Sequence, residues 1–99
     1  MKLVIDQNSL KAPYQSLLKQ AGYSYIVNRH NGQESFVRTF GRSPYPRFHV
    51  YVDEQADKLS IKVHLDQKHP SYEGSSAHSG EYDSEVVERE IDRLKQILC

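Results

Sequence analysis

A chain of 99 residues, 37% hydrophobic and 26% charged, has material for one core and none for a second domain, because domains of this size bury only about 60 to 65% of the surface their unfolded form exposes. The formal net charge of zero removes the overall attraction that dedicated nucleic-acid binders exploit. It is nevertheless divided, with seven Lys/Arg against two acids in residues 1–50 and six against eleven in residues 51–99, a split that a compact domain can cancel by interleaving its halves.

From the N-terminus, Leu3-Val4-Ile5 is far shorter than the apolar region of a signal peptide, and residues 1–6 offer at most a short strand. Leu10, Tyr14, Leu17, Leu18 and Ala21 recur at helical spacing and predict a first helix starting near Lys11 or Ala12, with Pro13 in its first turn. Gly22 suits the left-handed position that closes a helix, with Tyr23 folding back onto Leu18.

Two β-rich runs follow, Tyr25–Arg29 and Ser35–Phe40, around Asn31-Gly32, a strong two-residue hairpin signal. That loop would set Val27 opposite Phe36 and Tyr25 opposite Arg38. Pro44 and Pro46 interrupt the chain before a second hairpin with clean alternation. Phe48, Val50 and Val52 share one side with Leu59, Ile61, Val63 and Leu65, which is the expected core. The other side carries Arg47, His49 and Tyr51 on one strand and Ser60, Lys62, His64 and Asp66 on the next. A four-residue loop over Gln55 to Lys58 would set His49 opposite His64 and Arg47 opposite Asp66, while other loop lengths would move these pairs by two residues along the same face.

Gln67 to Tyr82 is rich in Ser, Gly, His and Pro without periodicity, and reads as one long loop holding His69 and His78. Asp83 then fits an N-cap, Tyr82 a staple onto Val87, and Val87, Ile91, Leu94 and Leu98 the buried stripe of a final helix whose Glu88, Arg89, Asp92 and Lys95 face water. The expectation is a single α+β domain over residues 1–99, ordered α-β-β-β-β-α: a four-stranded antiparallel sheet with an N-terminal and a C-terminal helix on one face and a polar face opposite.

Tyr45-Pro46-Arg47-Phe48-His49, His64-Leu65-Asp66-Gln67-Lys68, Pro70-Ser71-Tyr72 and Ala77-His78-Ser79-Gly80-Glu81-Tyr82-Asp83, with Ala21-Gly22-Tyr23 and Glu34–Arg38, give the chain its resemblance to an uncharacterised family of short proteins from candidate-phyla bacteria. The resemblance covers most of the chain after Leu17. That family has no established activity, so it implies no mechanism, catalytic residue or cofactor.

Function must therefore be sought in the residues. His49, His64, Asp66 and His78 combine imidazole and carboxylate donors suited to zinc or another divalent metal, with Glu81 as a general base should a metal-bound water be activated. Against this, the same residues make a cross-strand network that needs no ligand, and no zincin, EF-hand or paired-cysteine motif is present. Arg29, Arg38, Arg42 and Arg47 with Tyr25, Tyr45 and Tyr51 would suit single-stranded nucleic acid, although no RNP-like pattern accompanies them. A protein-interaction module, a homodimer included, needs no motif at all. Ser79 lacks a nucleophile elbow, Gly74 and Gly80 lack the P-loop Lys-Ser/Thr, and Cys99 is the lone thiol, excluding an internal disulfide and a cysteine zinc cluster. No apolar run approaches the ~20 residues of a membrane span. The sequence thus points to a cytoplasmic binding domain with no supported enzymatic role, whose surface is formed by Arg47, His49, Tyr51, Lys62, His64, Asp66 and the loop with His69 and His78.

Overall fold

The computed structural model describes residues 1–67, 80–81 and 85–99, with side chains described for all of these but Gly80 and Glu81. Strand β1, Lys2–Asp6, leads through a short 3-10 turn, Gln7–Ser9, into helix α1, Tyr14–Gln20. Strands β2, Ser24–Val27, β3, Glu34–Thr39, β4, Arg47–Gln55, and β5, Lys58–Asp66, follow. A two-residue strand β6, Gly80–Glu81, and helix α2, Glu85–Leu98, complete the order. The antiparallel sheet runs β1-β5-β4-β3-β2, with β6 beside β5.

The α+β class and the antiparallel sheet agree with the sequence, but the strand count does not. A fifth strand, β1, precedes the first helix and pairs with β5 from Lys2↔Lys62 to Asp6↔Lys58. Leu3 and Ile5 are buried while Val4 points outward, the alternation of a half-buried strand compressed into five residues, too few to separate from a tail by pattern alone. Since β1 and β2 lie at opposite edges of the main sheet, α1 belongs to a connection that crosses the apolar face. The expected loop after Gln67 is also interrupted, because β6 continues the edge of β5 that β1 occupies, with Leu65↔Glu81 and Asp66↔Gly80.

Helix α1 starts at Tyr14 rather than Lys11 or Ala12. Proline disfavours the helical region for the residue before it, so Ala12 cannot join, and Pro13 is the cap whose carbonyl accepts from Leu17 N–H at 3.2 Å. The C-terminus closes as expected: Gly22 takes φ +99°, its N–H donates to Lys19 O at 3.0 Å and that of Tyr23 to Leu18 O at 3.0 Å. Lys11, freed from the helix, donates from its backbone N–H to Leu98 O and from Nζ to Gln96 O, meeting carbonyls at the end of α2.

The first hairpin is two residues out of the expected register. Tyr25 lies opposite Phe36 and Val27 opposite Glu34, so the loop holds four residues, 29–32, rather than Asn31-Gly32 alone. Asn28 makes the difference. Its side chain accepts from His30 N–H at 2.8 Å and its carbonyl from Gly32 N–H at 2.8 Å, while Gly32 at φ +73° turns the chain back. A shift of two keeps every side chain on its expected face.

The second hairpin sets His49 opposite His64 and Arg47 opposite Asp66, one of the registers the sequence left open, but closes in a two-residue turn, Ala56-Asp57, with Ala56 at φ +53°, because Gln55 and Lys58 pair rather than join the loop. Gln7 braces it through Nε2 to Ala56 O and Lys58 O. Phe48, Val50, Leu59, Ile61, Val63 and Leu65 are buried, and meet Leu17 and Leu18 of α1 and Val87, Ile91, Leu94 and Leu98 of α2 in one core. The Asp83 cap, the Tyr82 staple and the loop histidines His69 and His78 lie outside the described residues.

Candidate functional site

Because both helices pack on the aliphatic side, the outward side chains of five strands form a second face on which no described element packs. Cross-strand pairing arranges that face in rows. Lys2, Lys62 and Tyr51 stand in one row, His64 and His49 with Val37 in the next, and Asp66, Arg47 and Thr39 in a third. His49 and His64 are direct partners, so the structure does bring together Arg47, His49, Tyr51, Lys62, His64 and Asp66. His78 lies outside the described residues.

Asp66 is the hub of the third row. Arg47 Nε donates to Asp66 Oδ2 at 3.2 Å, and His49 Nδ1 lies 2.9 Å from the same oxygen. A carboxylate only accepts, so His49 Nδ1 carries the proton that it donates to Asp66, while Nε2 lies 2.9 Å from Ser35 Oγ. Burial pushes the Asp66 carboxyl up, but the hydrogen bonds and charges of His49 and Arg47 outweigh it and hold it below the ordinary carboxylate value. The Arg47 guanidinium lies 4.6 Å from the Tyr45 ring centre, which fixes its plane.

Ser35, His49 and Asp66 thus stand in the order of a proton relay, a relation that the sequence reading missed. Its only signal was that Ser35 alternates with Phe36 onto the polar side. Ser35 is 4% exposed, and its strand is paired on both sides by β2 and β4, so the neighbouring backbone N–H groups serve the ladders and not a developing oxyanion. The relay is therefore a strut that locks the His49 ring and its tautomer.

Tyr51 stacks on His49, centres 4.5 Å apart and 24° from parallel, and meets His64 at 5.4 Å. These three rings form a ledge along the middle of the face. Burial holds the His64 imidazole below its ordinary value, assisted by nearby positive charge, so it favours the neutral form. Beside the ledge a groove of about 510 Å³ is lined by Met1, Lys2, Gln33, Tyr51, Lys62 and His64. Lys2 and Gln33 were absent from the expected surface; they arrive with the fifth strand and the four-residue hairpin loop.

The expected metal ligands meet a different arrangement. His49 and Asp66 are bonded to one another, the second imidazole nitrogen of His49 is engaged by Ser35, and among the described residues no three of His, Cys, Asp or Glu converge as a metal would require. The expected nucleic-acid set is divided between faces: Tyr25 packs edge-on against Phe36 on the core side, and Arg38 turns to Glu90. Arg47, with the Tyr45 ring against it, and Tyr51 are the members of that set that stand with the histidines.

A second charged cluster, unforeseen from the sequence, lies on the helical side. Glu90 of α2 is 3% exposed and receives both Arg38 and Arg93 as forks, with N···O distances of 2.8 to 3.3 Å, and the hydroxyl of Tyr23. Arg93 also donates to Ala21 O at 2.7 Å, tying α2 to the end of α1. Burial pushes the Glu90 carboxyl up, but the donors from Arg93, Tyr23 and Arg38 prevail and its value falls; burial first, then the bond to Glu90, raises Tyr23. All of its donors being internal, this cluster is structural.

No protein-family model, curated protein or solved structure matches the chain.

Proposed function

We propose that the chain is a binding domain that acts through the open face of its sheet, with the ledge of His49, Tyr51 and His64 as the contact surface. What supports this reading is one observation: three stacked or tilted rings lie on a face that no described element covers, while the aliphatic face is closed by two helices. Amphipathic rings beside fixed charges contribute apolar contact area and directed hydrogen bonds at small entropic cost. The Asp66 hub holds His49, and His49 in turn supports Tyr51, so the ledge is set before any ligand arrives.

The test is an amide NMR titration of the full chain against a panel of charged and neutral aromatic fragments and, separately, zinc and manganese. Fragment-induced shifts grouped on residues 47–51 and 62–66, with α1 and α2 unmoved, are the expected result. Hits confined to the helices or to the Phe40 side of the molecule overturn the reading. Stoichiometric metal in protein purified without a histidine tag replaces it with the metal-binding one.

A further inference from the structure

The strands carry five cationic side chains, and they are not equivalent. Arg38 holds Glu90, Arg47 holds Asp66 and Lys58 holds Asp6. Lys2 and Lys62 hold no carboxylate among the described residues, and they stand directly opposite each other on neighbouring strands. Like charges in that position cost stability, so the pair is not explained by the fold. Both are exposed, and both line the groove beside Tyr51 and His64. Two ammonium groups at adjacent positions, with three donors each, match the oxygens of one phosphate.

Tyr51 lies directly across from Lys62 on the side away from Lys2, so the row reads cation, cation, ring. Strands about 4.8 Å apart put the middle of the lysine pair about 7 Å from the tyrosine position, a separation that a ribose spans. Gln33, at the β3 end of the groove, offers an amide that can both donate and accept along the edge of a heterocycle. The groove, about 510 Å³, falls within the ordinary range for small-molecule sites. The two cations form one cluster at one end of a ring and not a line along the face, which suits a single phosphate better than the repeating phosphates of a strand.

We propose that this groove binds a free nucleoside monophosphate, with its phosphate between Lys2 and Lys62, its base on Tyr51 and its base edge at Gln33. The assignment rests on the open face being the binding surface and names the ligand class that face takes.

Calorimetric titration of the full chain with the four common ribonucleoside monophosphates tests it, with adenosine, inorganic phosphate and an eight-nucleotide single strand as comparisons. Saturable binding is expected for at least one monophosphate, weakened about tenfold by Lys2→Gln or Lys62→Gln and similarly by Tyr51→Ala, but retained in Tyr51→Phe. Lys58→Gln, which removes a cation already paired with Asp6, leaves affinity unchanged. Because relieving the like-charge pair costs the fold nothing, Lys62→Gln is expected to match or exceed the wild-type thermal midpoint, which separates lost binding from lost folding.

Adenosine binding as tightly as its monophosphate, or unchanged affinity in both lysine variants, overturns the proposal. An eight-nucleotide strand binding more than about tenfold tighter than the monophosphate reassigns the groove to single-stranded nucleic acid and also overturns it. If no monophosphate binds at millimolar concentration while other fragments still shift residues 47–51 and 62–66, the ligand assignment fails and the binding-face reading stands. Silence of that face to every compound ends both.

Discussion

Two carboxylates organise this protein, and they do so on opposite sides of one sheet. Glu90, under the helices, collects two arginine forks and a tyrosine hydroxyl; Asp66, on the open face, collects one arginine and one histidine. Their exposures, 3% and 24%, separate a sealed network from one that water reaches. Both are held below the ordinary carboxylate range against the push of burial, so each is anionic at neutral pH. The comparison shows how similar chemistry diverges with position. Donors that fully surround a charge make it a rivet, while a hub that includes an imidazole and lies beside a groove holds a surface in shape.

Removing the carboxylates separates the two most sharply. Glu90→Ala leaves Arg38 and Arg93 facing each other at a partly buried site and is expected to cost about 3 kcal/mol in urea unfolding, the lower end for a broken buried pair because both guanidiniums retain some solvent. Asp66→Asn keeps the shape and loses only the charge, at about 1 to 2 kcal/mol. Its distinguishing readout is 15N NMR of His49, whose Nδ1–H then meets a neutral amide oxygen in place of a charged carboxylate and is held less firmly. Equal costs for the two changes would break the distinction between rivet and support.

The hydroxyl donors give a finer version of the same test. Tyr23→Phe deletes a buried donor to a charged group and is expected to cost about 2 kcal/mol, whereas Ser35→Ala deletes a neutral hydrogen bond to His49 for about 1 kcal/mol. Thermal melts of both variants decide it. If Ser35→Ala were the costlier, the relay would matter more to the fold than the Glu90 cluster.

The smallest effect is in pH. Of the shifted groups, the three that titrate below neutral pH, His64, Asp66 and Glu90, have folded values below their unfolded ones, so the unfolded chain takes up protons first and stability falls on acidification. The His64 share is intact above its ordinary value of 6.5 and declines as pH falls through it toward the lower folded value. The carboxylate shares are intact above the ordinary values of 3.8 and 4.5 and are lost below them. A shallow slope followed by a steeper one is therefore expected in denaturant midpoints measured from pH 8 to 3. His64→Gln should flatten the first part and leave the second.

What could be read from the sequence follows the same division between local and distant effects. The faces of the β4–β5 hairpin were legible, because Phe48 and six aliphatic residues alternate without interruption, but its register stayed open along those faces until the two-residue turn Ala56-Asp57 selected it. The Schellman closure at Gly22 was legible because it depends on adjacent residues. The β2–β3 register was not, since Asn31-Gly32 signals a two-residue loop and only the side chain of Asn28 selects the longer one. Nor was Glu90, although it falls three residues after Val87 and one before Ile91, on the buried stripe of α2. An acidic residue there requires partners, and besides Arg93, its i+3 neighbour on α2, these come from residues 23 and 38, which no local pattern joins to it. Lys2 entered the site by a similar long route, as the partner of Lys62.

That last pairing sets a timetable for the chain as it is made. The inner strand β5 draws one neighbour from its own hairpin and the other from the opposite end of the sequence, so Leu3 and Ile5 leave the ribosome long before the strand that shelters them. At the usual pace of translation that wait is roughly 3 to 12 seconds for about sixty residues, during which a greasy pentapeptide is available to any passing strand. An organism that produces this protein must either tolerate that interval or shield it with a nascent-chain chaperone.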